Sequence, residues 1–311
     1  MAKLSLLNDF KRLDGVESRA VKALEKKLVA NYRESLKVIK GLIAQGFERY
    51  GGDWNAMQQY NRLGKLEAKI TREIGKLTGK NANSIKAGLA KGYQDSYYRV
   101  MFNVERQAGV SVGFGQLRTA DIERAVNNPL DRVGFLKRNR ANQATLTRQL
   151  QDTLARGLIQ GHGYGVVGRA INERMGVGAY NALRIARTEM HRVQQQGRMD
   201  SIKESNESGV KMVKVWSATL DDRTRDHHQE LDGVKIEIDE MFVSPETGAT
   251  AEQPGEFGEP EDDINCRCSV RAEIVGYEPE IRYRREELDE QGDLGTFVNY
   301  DEWLLDREVS Y

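Results

Sequence analysis

The chain contains no proline before Pro129, the earliest of only five. Nothing in that span therefore forces a backbone break, and long helices are open to it. Apolar residues fall where a helix needs them. Over residues 16–47, Leu24, Leu28, Tyr32, Leu36, Ile39, Ile43 and Phe47 recur at three- and four-residue steps, the period of one helical face. Gly51 and Gly52 read as the stop, and Asp53 as the N-cap of the next helix. That second helix is expected to run to about Leu77, closed by Gly79 and Asn81, with a third over 84–107. A glycine-spaced connector (109–115) and a short helix (121–126) follow. Pro129 then opens a longer helix that reaches about Ile159.

Glycine is dense over 157–178: Gly161, Gly163, Gly165, Gly168, Gly176 and Gly178. No strand precedes it and no Gly-Lys-Ser/Thr follows, so a phosphate-cradling loop does not fit. The expectation is a hinge between helices. A further helix is expected over 179–205. Glu189 and Arg192 lie three apart on it and can pair. After Gly209 the period shortens. Val210, Met212, Val213, Val215 and Trp216 read as a strand. Asp221 or Asp222 is expected to cap a short helix through Glu230, Asp232-Gly233 is a turn signal, and Val234, Ile236 and Ile238 alternate as a second strand. Residues 268–275 read as a third. Between them, residues 244–263 hold three of the five prolines and seven acids but no Lys or Arg. That stretch is expected to be a mobile surface loop, too acidic to bury.

The fold class that follows is α+β. A mostly α-helical, elongated N-terminal half (1–178) precedes a small α+β module (179–277) with a short antiparallel sheet. A charged tail (278–311) places Phe297, Tyr300, Trp303 and Leu304 on one apolar helical face.

Net charge is zero, but it is divided. Lys and Arg outnumber Asp and Glu by 36 to 18 over residues 1–203, and fall short by 11 to 29 over 204–311. A basic half can face nucleic acid or an acidic partner surface. Equally, the halves can attract each other, or the basic residues can solvate helix faces. No apolar run approaches the ~20 residues needed to span a bilayer, and the N-terminus lacks a secretory apolar core. Two cysteines make no disulfide framework, so a reducing compartment is expected.

Those two cysteines, Cys266 and Cys268, share the segment 216–271 with two of the four histidines, His227 and His228, and with Trp216. Two residues apart on a strand, the cysteines share a face but are poorly placed to bridge each other. With His228 they offer three nitrogen and sulfur ligands for zinc, which usually takes four. His227 or Asp222 is the candidate fourth. The alternative is packing: Cys266 as a small hydrophobe and His228 bonded to a carbonyl or carboxylate. Cysteine nucleophile chemistry is a third reading.

The segment also carries a resemblance. The ordered set Arg187-Thr188-Glu189, Asp221-Asp222-Arg223-Thr224-Arg225, His228, Asp232-Gly233 and Asn265-Cys266-Arg267-Cys268 resembles the signature of the phage Mu protein F-like head morphogenesis family. The resemblance covers residues 181–274. It implies a minor capsid role, with the family's shared domain in the α+β module and Arg187-Thr188-Glu189 as a structural clasp between their helix and it. Some family members carry Cys at the position of His228, an exchange that suits a metal ligand, and a further His before the Cys-x-Cys. Here that position falls within residues 261–264.

The functional expectation is a head morphogenesis protein, not an enzyme. It would be present in the host bacterial cytoplasm during assembly and then in the virion head. Portal or major capsid protein would be its partner, contacted mostly through residues 1–150, and packaged DNA a further one; no membrane is expected. The alternative class is a metal-dependent nuclease or peptidase. The chain has no His-Glu-x-x-His and no clustered carboxylates of a two-metal site.

Overall fold

The structure, a computed structural model, describes residues 6–109, 116–127, 134–276 and 300–306. Six helices come first: α1 (Leu6–Tyr50), α2 (Trp54–Gln58), α3 (Arg62–Ala108), α4 (Thr119–Asn127), α5 (Phe135–Ile159) and α6 (Tyr164–Glu207). Then follow β1 (Met212–Ser217), α7 (Asp226–Glu230), β2 (Lys235–Glu237), β3 (Phe242–Val243), β4 (Thr250–Ala251), α8 (Pro260–Asp263), β5 (Ser269–Ile274) and α9 (Tyr300–Asp306). The α+β class holds. No helix among the described residues is long and apolar enough to cross a membrane.

Three of the helices, α1, α3 and α6, are longer than expected. α1 starts ten residues before the expected residue 16 and ends as expected at Gly51 and Gly52, both at positive φ. Asp53 caps α2, accepting from the Ala56 amide at 2.7 Å. That helix is one short turn, however, ended by Tyr60 and Asn61 in the left-handed region. α3 then runs unbroken through Gly79 and Asn81, the expected stop. A helical glycine costs only about 1 kcal/mol. Asn81 is buried, and its carboxamide accepts from Asn31 of α1 at 2.9 Å, so packing holds the helix through the weak spot. The expected glycine hinge shrinks to residues 160–163, where Gly161 has φ +67°. Gly165 to Gly178 lie inside α6, and the expected boundary at 178/179 falls within that helix. Gly178 is there for contact. A Cβ on it would meet Leu146 of α5 at 2.9 Å, while its carbonyl accepts from Tyr32 and Asn142, each at 2.9 Å. Pro129, most of the connector after Gly109, and Phe297 lie outside the described residues.

Contacts group the chain into two compact units. One comprises Val21–Ala87 and Val133–Arg187. It is helical throughout, with Ile39, Ile43, Ile70, Ile74, Leu150, Leu154 and Ile171 in its core. Its sequence carries 23 Lys and Arg against 8 Asp and Glu. The other comprises Met1–Ala20, Gly88–Arg132 and Thr188–Tyr311, with 24 against 39. Basic charge thus belongs to the helical unit, not to the first two-thirds of the chain.

In the second unit β1 is the centre of a three-stranded antiparallel sheet, order β2-β1-β5. One face carries Met212, Trp216, Val270 and Ala272 into a core shared with Phe10 and Leu13 of α1, Val100 and Val104 of α3, and Met199 and Ile202 of α6. α6 also serves the free edge of β5. Gln195 accepts from the Val270 amide at 2.9 Å, and Arg198 donates to the Val270 carbonyl at 3.2 Å. Arg198 is fully enclosed and pairs with Glu17 at 2.6 Å and Asp14 at 2.7 Å. α9 lays Tyr300, Trp303 and Leu304 on Tyr98 and Phe102, and the Trp303 indole donates to Glu105 at 2.6 Å.

The acidic stretch 244–263 is the largest departure from expectation. It contains β4 and α8, and Ser244, Gln253, Phe257, Asp262 and Asp263 are buried. Its buried acids have donors. Asp262 accepts from Ser244 at 3.1 Å and Thr247 at 2.8 Å, and Asp263 from the amides of Phe257 at 3.2 Å and Gly258 at 3.0 Å. A carboxylate satisfied in this way is compatible with an interior.

Candidate metal centre

The cysteines reach the interior through an unusual backbone turn. Asn265 sits at φ +57°, a conformation Asn tolerates better than most residues. Its amide donates to Thr188 on α6 at 3.3 Å. Cys266 and Cys268 follow, both buried and unbridged, just before β5. α7 brings His228 over them. The helix starts at Asp226, not at 221 or 222, and its N-cap, Arg225, makes no side-chain capping bond.

His228 Nδ1 lies 3.7 Å from the Cys266 sulfur and 3.5 Å from that of Cys268. Zinc ligands at about 2.0–2.1 Å (N) and 2.3 Å (S) in a tetrahedron stand about 3.6 Å apart; both nitrogen–sulfur separations match that spacing, and all three atoms lie within 4.8 Å of one another. Cys266 donates to Cys268, which pushes the Cys266 thiol up and pulls the Cys268 thiol down; burial raises both, and His228 lowers Cys268 further. One sulfur is thus biased toward thiolate, the form that binds metal. The ring of Trp216 stands edge-on to His228 at 5.7 Å, and Phe257 lies at 6.3 Å, so aromatic rings flank the buried imidazole.

Among the described residues three ligands converge here, not four. Asp222 is exposed. His227 belongs to a second grouping: its Nε2 is 3.0 Å from Asp262 Oδ1, and His228 Nε2 is 3.5 Å from the same oxygen.

The remaining motif residues form the frame. Arg267 grips Asp221 with two guanidinium nitrogens and reaches Thr224 at 3.3 Å. That contact holds the Asp221 carboxyl well below the usual range. Arg225 donates to the carbonyl of Ile264 at 2.7 Å and of Asp262 at 3.4 Å, tying α7 to the cysteine loop. Asp232 accepts from the Ala218 amide at 2.8 Å, and Gly233, at φ +77°, donates to the Trp216 carbonyl at 2.9 Å. Asp222 and Arg223 are exposed. The upstream run divides. Thr188 reaches the module through Asn265. Glu189 pairs with Arg192 at 3.1 Å, as its spacing suggested. Arg187 pairs with Glu25 of α1. Asp262, Ser244 and Thr247 are the site residues that periodicity and composition missed. Their only sequence signal was the position of Asp262 within the 261–264 window.

The class so defined is a helical protein bearing a small α+β module closed around a Cys-x-Cys/His cluster. Residues 148–271 match the family model described as phage Mu protein F like protein. The chain is 33% identical over 307 residues to minor head protein GP7 of Bacillus phage SPP1, an alignment covering 96% of each chain. It is also 29% identical over 306 residues to NAD(+)--arginine ADP-ribosyltransferase EFV of Enterococcus faecalis, covering 98% of this chain and 62% of that one. The chain belongs to the phage Mu protein F-like family. No solved structure matches it.

Proposed function

We propose that the protein is a minor head protein that acts in phage head morphogenesis, docking on the portal or the inner capsid surface, with its module held together by zinc on His228, Cys266 and Cys268. The observation that carries the role is the near full-length relationship to a minor head protein. The second relative, named as a transferase, aligns over 98% of this chain but has a further 38% of its own length that this chain does not match. Zinc is supported by the sulfur–nitrogen separations and by a frame of Asp221, Arg225 and Arg267 that positions the cysteine loop. Its role is structural: it draws α7 and the loop before β5 together.

Purified full-length protein should carry close to one zinc per chain by elemental analysis. Replacing Cys266 and Cys268 by Ser should remove it and lower the melting temperature. Metal-free protein with unchanged stability would leave both cysteines as packing residues. A second role, non-specific contact with packaged DNA, is favoured by the excess of Lys and Arg in the helical unit. It would show as an affinity that is equal for any sequence and falls steeply with salt.

A further inference from the structure

A zinc-ligating imidazole has one nitrogen left over, and which nitrogen that is must be decided by something outside the ligand set. His228 presents Nδ1 to both sulfurs. A ring that ligates through Nδ1 carries its proton on Nε2. That Nε2 is enclosed and has no directed hydrogen bond, yet Asp262 Oδ1 stands 3.5 Å away. Asp262 is fully enclosed, and its carboxylate is held from behind, with Ser244 on Oδ1 and Thr247 on Oδ2. His227 Nε2 approaches the same oxygen at 3.0 Å, also without a directed bond.

We propose that Asp262 is the positioning residue of the metal centre. It accepts the Nε2 proton of His228, fixes Nδ1 as the ligating nitrogen and locks the ring over Cys266 and Cys268, while His227 is a neighbour of the carboxylate and not a fourth ligand. This rests on the zinc reading above and gives residues 244–263 a task. The β3–β4 hairpin supplies Ser244 and Thr247, and α8 supplies Asp262, so the acidic segment is the outer wall of the centre. Metal binding and the order of this segment are then coupled through one carboxylate.

The test uses full-length protein and zinc, with affinity read by competition against a chromophoric chelator. Asp262→Asn keeps the shape and weakens the acceptor; zinc affinity should fall about 10- to 100-fold. His227→Gln should leave it unchanged. Independently of any variant, long-range nitrogen–proton correlation spectra of zinc-loaded wild-type protein should show His228 protonated on Nε2. Wild-type protein that binds no zinc overturns the metal reading itself. Zinc bound by wild type and Asp262→Asn with equal affinity, or a His228 proton on Nδ1, overturns the role of Asp262 alone. Loss of zinc in His227→Gln would make His227 a ligand and likewise overturn it.

Discussion

Lys214 is the one lysine fully enclosed in the core of the sheet unit among the described residues. It lies on β1 between Met212 and Trp216, its amine makes no hydrogen bond, and it stands over the Phe242 ring at 5.5 Å. Burial lowers its pKa from 10.5 to about 8, against the partial relief of Glu252, Asp239 and Glu240. At 1.36 kcal/mol per pH unit, keeping this amine charged at pH 7 costs the folded state about 3 kcal/mol. Lys214→Met removes the charge and keeps the volume. It also gives up a cation–π contact of about 1 kcal/mol, so the variant should be more stable at pH 7 by about 2 kcal/mol. The sign of the pH dependence is fixed. A base with a depressed folded pKa destabilises fully below that pKa, and the penalty fades between the folded and unfolded values. The advantage of the variant should therefore shrink from about pH 8 upward and be gone near the unfolded pKa of 10.5. Urea unfolding of both proteins at matched pH, followed by tryptophan fluorescence, reads the difference. Taking the difference cancels the tyrosines and cysteines that titrate in the same range. A variant less stable than wild type at pH 7, or a gap that does not change between pH 7 and 10, would refute the reasoning.

Substitutions at four further positions bear on the fold. Arg198→Ala leaves Glu17 buried without its ion pair and strips a donor from the β5 edge; a loss of about 3–5 kcal/mol in denaturant unfolding is expected. Gly197→Ala places a Cβ 2.4 Å from the Tyr93 carbonyl and should sharply lower the melting temperature. Gly176→Ala, in the same helix with nothing within 4 Å, should raise stability by about 0.5–1 kcal/mol. Asn265→Gly should be nearly neutral by thermal melt, whereas Asn265→Ala should cost about 1 kcal/mol, because the residue sits in the left-handed region.

Local signals told the truth where local physics decides. The three- and four-residue apolar steps of α1, the Gly51-Gly52 stop, the Asp53 cap and the Asp232-Gly233 turn all appear in the fold as the residues suggest. They failed where a distant partner decides. Asn81 looks like a helix stop until Asn31 occupies its carboxamide. Gly178 looks like a hinge until Leu146 fills the space its missing Cβ leaves. Residues 244–263 look too acidic to bury because composition counts carboxylates and not the hydroxyls and amides that meet them. The charge division followed the same rule. Residues 1–20 and 88–132, each with one more basic than acidic residue, are grouped by contacts with the acidic module, which leaves the basic excess in the helical unit. Of the proposed metal centre, Cys266, Cys268 and His228 were legible from residue type and spacing. Asp262 was not, because its significance lies in a 3.5 Å approach across 34 residues of sequence.

The proposed role in head assembly stands or falls on what the protein binds. Full-length protein mixed with purified portal protein, and separately with purified major capsid protein, should be followed by analytical ultracentrifugation across a salt series. The proposed role predicts co-sedimentation with at least one of them at low salt, weakening as salt rises. Independent sedimentation from both at every salt concentration would contradict it.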